Sequence, residues 1–167
     1  MSKNVTKAVT LTETKDYVVG IGASAGGMEA IHTLFDAMPA NTGFSFVVIQ
    51  HLSPDHKSLL AELLSKHTMM QVYEAEDGMM LMPDCIYVIP IKKRISISKG
   101  VLRVVEKVKD GTPNNAVDVF FNSLAVEKKT CAVGIILSGT GSDGKKGIEG
   151  AVLEGGERAG WLVHYSR

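Results

Sequence analysis

The sequence predicts an α/β fold: a doubly wound, mostly parallel sheet with helices on both faces and a β-hairpin insertion. Three observations lead there. Short continuous apolar runs alternate with stretches of helical periodicity, the pattern of strands buried on both faces and joined by crossover helices. Two of those runs enter glycine-rich turns that open helices. One pair of short runs, meeting at Lys99-Gly100, departs from this rhythm and reads as a hairpin.

The elements follow in order. Residues 17–21 form an apolar run entering the turn around Gly22, after which Met28, Ile31, Leu34, Phe35 and Met38 recur at helical spacing. Residues 44–49 read as a second buried strand. Over 54–66, Leu59, Leu60, Leu63 and Leu64 mark one face of a second helix. A weaker strand is expected at 71–74, another at 85–89, and the hairpin strands at 95–97 and 101–105. Asn114 or Asn115 is placed to cap a helix whose buried face is Val117, Phe120, Phe121, Leu124 and Ala125. Residues 132–137 are the most continuous apolar strand. They lead into the turn Ser138-Gly-Thr-Gly-Ser-Asp-Gly144 and a helix over 145–153.

Composition narrows the function. At 167 residues, 45% hydrophobic and 22% charged, the chain is one domain able to bury a core. Lys+Arg and Asp+Glu are equal at 18 each, so no overall basic field draws it to nucleic acid or anionic lipid. Residues 1–16 are polar and lack an apolar signal core, and no run approaches the ~18 apolar residues of a membrane span. A cytoplasmic protein without membrane insertion is expected. Cys85 and Cys131 each precede an apolar β-branched run and read as inert, buried thiols. His32, His56, His67 and His164 read as surface residues.

The run Val19-Gly-Ile-Gly-Ala-Ser-Ala-Gly-Gly27 carries two overlapping motifs. Counted from Gly20 it fits the dinucleotide turn G-x-G-x-x-A; counted from Gly22 it fits G-x-S-x-G, which lifts a serine as nucleophile. A dinucleotide site needs an acid at the end of the second strand, about 20 residues on, to hold the ribose. This strand ends in Gln50-His51. The nucleophile reading uses the same positions: Ser24, His51 and Asp143 follow three strands, and functional groups of a doubly wound sheet collect at such ends. A serine hydroxyl needs an imidazole to take its proton and a carboxylate to orient that imidazole. Taken singly, each has a plain alternative: Ser24 and Asp143 as helix caps, His51 as the close of a strand.

With Phe46-Val-Val-Ile-Gln-His-Leu52, Pro113, Ala116-Val-Asp-Val-Phe-Phe-Asn-Ser-Leu124 and Gly134-Ile-Ile-Leu-Ser-Gly-Thr-Gly-Ser-Asp-Gly144, the glycine-serine run resembles the catalytic domain of the chemotaxis methylesterases, the CheB family. The stretches Gln50-His-Leu-Ser-Pro-Asp-His-Lys57 and Ser138 to Gly144 look most like the CheB-type domain of CheB/CheR methylesterase-methyltransferase fusions. The resemblance implies hydrolysis of glutamate γ-methyl esters on the cytoplasmic helices of methylated chemoreceptors, with deamidation of some receptor glutamines. It implies Ser24 as nucleophile, His51 as general base and Asp143 as its orienting acid. Ala25, Gly26 and Thr140 fall at the oxyanion and substrate, Thr140 through its backbone amide where the family has methionine. No metal or cofactor is implied.

The resemblance covers 17–156, with 1–16 a polar N-terminal segment and 157–167 a short divergent or truncated C-terminal one. The family's receiver domain has no counterpart in 1–16, so phosphorylation control within the chain is expected to be absent. An exposed core edge at the C-terminal side favours a homo-oligomer. The alternative to an esterase is a non-catalytic CheB-like module that binds receptor or partner segments.

Overall fold

The computed structural model describes residues 16–50, 59–107, 115–137 and 160–164. Six strands make one sheet: β1 (Val18–Ala23), β2 (Ser45–Gln50), β3 (Gln71–Glu74), β4 (Cys85–Val88), β7 (Ala132–Leu137) and β8 (Gly160–His164). Their order is β3-β4-β2-β1-β7-β8, and every neighbouring pair is parallel. From β1 the chain moves to β2, then to the edge position with β3 and back to β4 between them, and later crosses to the other side of β1 with β7. Strand order therefore reverses at β1.

The strands alternate with the period of two that a sheet covered on both faces requires. Val18 of β1 with Val47 and Ile49 of β2 joins one core, whereas Val19, Ile21 and Ala23 with Phe46 and Val48 join the other. On the second face lie α1 (Met28–Asp36), which buries Ile31 and Phe35, and α2 (Leu60–Leu64), which buries Leu60 and Leu64. The first face is covered by α3 (Ala116–Lys128), which buries Ala116, Val117, Phe120, Phe121 and Leu124. α1 stops short of Pro39, whose ring disfavours helical geometry at Met38.

The hairpin forms as expected, from β5 (Lys93–Ser98) and β6 (Val101–Glu106), antiparallel and separate from the main sheet. Lys99 and Gly100 both have positive φ, 52° and 75°, the mirror-image turn whose twist matches a two-residue hairpin. It is fastened to α3 rather than left in solvent: Ile97 N donates to Ser123 Oγ at 3.0 Å and Gly100 N to Glu127 Oε1 at 2.7 Å. Ile95, Ile97 and Leu102 complete the core on that face.

Three local expectations are corrected. Asn115 occupies the N-cap of α3 but makes no side-chain capping hydrogen bond; only its carbonyl is used, accepting from Val119 N at 3.0 Å. Asn114 lies outside the described residues. Leu59 does not join the buried face of α2: it precedes the helix and is 52% exposed. Ala125 is only half-buried on α3. The weak strand at 71–74 is the sheet's edge, which is why it lacks a continuous apolar run. The helix expected over 145–153 lies outside the described residues, as does the part of the expected 54–66 helix before residue 59.

α3 reaches the sheet over the glycines of β1. A Cβ on Gly20 would stand 2.9 Å from a Phe121 ring carbon, and one on Gly22 only 2.5 Å from Val117 Cγ1. Gly22→Ala should therefore lower stability by about 1–3 kcal/mol through overpacking. Urea unfolding checks this, with Val117→Ala in the same chain expected to recover much of the loss. An additive double mutant would mean that the helix does not rest on this glycine.

Candidate active site

Ser24 follows directly on β1, where strand order reverses. Its backbone is extended, φ −76° and ψ 175°, and the chain then closes a 3-10 turn, Ala25–Gly27, before α1 begins at Met28. Gly27 N donates to the Ser24 carbonyl at 2.9 Å and sets that turn. The side chain of Ser24 makes no capping hydrogen bond to the turn, so the plain capping role is not the one it takes. Gly26 is exposed, and among the described residues a Cβ there would meet nothing within 4 Å.

The neighbouring strands end level with it. Ala23 pairs with Gln50 on one side and with Leu137 on the other, and Leu137 in turn pairs with His164. In sequence Gln50 is followed by His51, and Leu137 by the turn that contains Thr140 and Asp143. His51, Thr140 and Asp143 themselves lie outside the described residues. What the described structure brings together is Ser24, its turn, and the ends of the strands that lead into the other segments.

Sequence reasoning passed over Gln50. It is 5% exposed, a buried polar residue that follows the four buried apolar residues Phe46 to Ile49. Its Nε2 donates to the Ser24 carbonyl at 3.4 Å, whereas its Oε1 is buried with no partner among the described residues. A buried acceptor left in that state costs about 1–3 kcal/mol. The signal was visible as a polar residue closing an apolar strand, but it served only to reject a dinucleotide site.

Two histidines expected at the surface form a cluster instead. The rings of His32, on α1, and His67, after α2, stack with centroids 3.8 Å apart and an interplanar angle of 11°. His67 Nδ1 lies 3.0 Å from Asp36 Oδ1, and His32 Nε2 is buried without a partner. Burial, reinforced by His67 and only partly opposed by Asp36, holds the His32 pKa below its ordinary value. Both cysteines are half-buried free thiols, and burial with the nearby Asp84 charge raises Cys85, which keeps it protonated and a poor nucleophile. Among the described residues no group of His, Cys, Asp and Glu is arranged to hold a metal ion, and no helix is long and apolar enough to cross a membrane.

Residues 19–158 match the family model of the CheB methylesterases. The chain belongs to the CheB methylesterase family. A protein-glutamate methylesterase/protein-glutamine glutaminase of Xanthomonas oryzae pv. oryzae is 40% identical over 139 residues, a match that takes in 81% of this chain and 38% of that relative. One from Salmonella typhi, of the same name, is 36% identical over 135 residues, again with 38% of its length covered. The chain thus spans well under half the length of these curated relatives. The crystal structure of the CheB methylesterase catalytic domain of Thermotoga maritima superposes with a TM-score of 0.74 at 26% identity, covering 90% of this chain and 79% of that one. The doubly wound sheet of this CheB-family chain is that domain's fold.

The histidine cluster sets a pH dependence of stability. The folded state holds the His32 proton less tightly than the unfolded chain, so the unfolded state binds more protons. Stability then falls as pH drops through about 6.5 toward the lower folded value. The groups facing His32 are His67 and Asp36. Urea midpoints measured from about pH 7.5 to about pH 5.5 should fall for the wild type and fall less for His32→Phe. Equal falls in both chains would assign the effect elsewhere.

Proposed function

We propose that this chain is a protein-glutamate methylesterase, a serine hydrolase acting on methylated glutamates of chemoreceptor cytoplasmic helices. The observation that carries the reading is Ser24 on a strand-to-helix turn at the reversal of strand order, between the strands that lead to His51 and to Asp143. Family membership and the names of the relatives support it.

In the proposed mechanism His51 takes the Ser24 proton as the hydroxyl oxygen attacks the ester carbonyl, with Asp143 orienting the imidazole. The oxyanion is met by backbone amides at Ala25 and Thr140, and Gly26 leaves room for the substrate. Collapse of the tetrahedral intermediate breaks the bond to the methoxy group, which leaves as methanol carrying the proton from His51. Water activated by His51 then hydrolyses the acyl-enzyme to free glutamate and Ser24. The same steps on a glutamine side chain release ammonia, in keeping with the second half of the relatives' names. No cofactor enters these steps. A substrate displayed on a receptor helix suits a site built from strand-end loops rather than a deep pocket, and an enzyme acting on a receptor's cytoplasmic helices works in the cytoplasm.

Methanol release from methylated receptor fragments tests the reading. Wild-type chain should release it, and Ser24→Ala should lose at least about 10³-fold in turnover. Folded wild-type chain that releases no methanol would leave a CheB-like module that binds without turning over.

A further inference from the structure

Gln50 sits where an apolar residue would be expected. It closes a strand whose other residues from Phe46 to Ile49 are buried and apolar, and it is itself 5% exposed. One end of its amide is engaged, with Nε2 donating to the Ser24 carbonyl at 3.4 Å, and the other end, Oε1, is buried without a partner among the described residues. Packing alone does not account for such a residue: methionine fills nearly the same volume and leaves no orphan acceptor.

The bond it does make falls on a peptide that matters for the proposed chemistry. The Ser24 carbonyl accepts twice, from Gly27 N at 2.9 Å and from Gln50 Nε2 at 3.4 Å. Two donors converging from different elements fix the direction of that carbonyl. The peptide joining Ser24 to Ala25 is planar and trans, so its N–H must point opposite to its C=O. Holding the Ser24 carbonyl therefore aims the Ala25 N–H, the amide proposed to meet the oxyanion. An amide that rotates freely loses much of its value as a donor, because electrostatic stabilisation in a transition state depends on dipoles already in place.

We infer that Gln50 is a positioning residue that locks the Ser24–Ala25 peptide through the Ser24 carbonyl and so holds the Ala25 amide ready for the oxyanion. This rests on Ser24 being the nucleophile, as proposed above. Gln50 touches neither substrate nor reacting atoms. It ties the end of β2 to the turn after β1, and the unsatisfied Oε1 is the stability given up for that tie.

The test compares Gln50→Met and Gln50→Glu with the wild type, in kcat, KM and urea midpoint. Gln50→Met keeps the volume and removes the donor; Gln50→Glu keeps the shape but, ionised, offers only acceptors. For Gln50→Met we expect a urea midpoint equal to or above the wild type and KM within about twofold. Its kcat should fall about 10–100-fold, less than the about 10²–10³-fold lost when an oxyanion donor is itself removed. Gln50→Glu should lose at least as much kcat, and it serves as the kinetic comparison if the methionine variant does not fold. Unchanged kcat in a folded variant would overturn the inference, as would a fall in kcat that only tracks lost stability and a raised KM. The rate at which a fluorophosphonate probe labels Ser24 is measured on the same chains. If the wild type labels but releases no methanol, the methylesterase reading fails while slower labelling of Gln50→Met still supports the lock. A wild-type chain that does neither overturns both.

Discussion

The parallel ladder of β1 between β2 and β7 is the constraint on which the rest of the structure depends. Parallel strands cannot be joined by tight turns, so each pair requires a crossover, and the crossovers place helices on the sheet's faces. Because Ala23 is opposite both Gln50 and Leu137, the three strands finish level and their following segments begin at one edge. A slip of one residue in either ladder would turn every side chain of that strand to the opposite face, setting Val18 against the core of α1 and Val19 against that of α3. Register thus fixes the layers and the site together, and the apolar alternation of β1 and β2 is what enforces it.

That arrangement divides the polar groups by layer. Near the edge, the described donors to the Ser24 carbonyl are a backbone amide of the short turn and one buried side-chain amide at a strand end. Behind α1, on the other face, His32, His67 and Asp36 form a titratable cluster that ties α1 to the segment after α2. The first group bears on the proposed chemistry through geometry. The second affects how firmly α1 is held, and α1 begins at the end of the serine turn. Both contain a buried polar atom without a partner, and a stable fold tolerates few of these.

Much of this was legible in the sequence because it is local. The inner strands of the sheet are largely apolar runs. The hairpin is announced by Lys99-Gly100, and α3 by aromatic and aliphatic residues at helical spacing. What was not legible depends on partners distant in the chain. The stacking of His32 on His67 requires α1 and α2 to share a face of the sheet, and each histidine alone looks like an ordinary polar residue on a helix or loop. Gln50 acquires its meaning only when β2 is set beside β1, since its partner is a carbonyl 26 residues earlier in the chain. Asn115 errs the other way: its residue type promised a side-chain cap that the backbone conformation, φ −118° and ψ 32°, does not use. The assignments to His51 and Asp143 came from residue type, strand ends and family resemblance, not from measured geometry.

The glycines of the opening motif illustrate how one pattern supports two readings until the packing is known. In a dinucleotide turn, glycines let backbone approach a phosphate and a helix approach its strand. Here Gly20 and Gly22 belong to the strand itself, and the missing side chains make room for Phe120, Phe121, Leu124 and Val117 of α3. Gly26 differs: among the described residues a Cβ there would meet nothing within 4 Å. The packing of α3 thus explains the first two glycines, so the opening pattern divides between the strand that α3 rests on and the turn that carries Ser24.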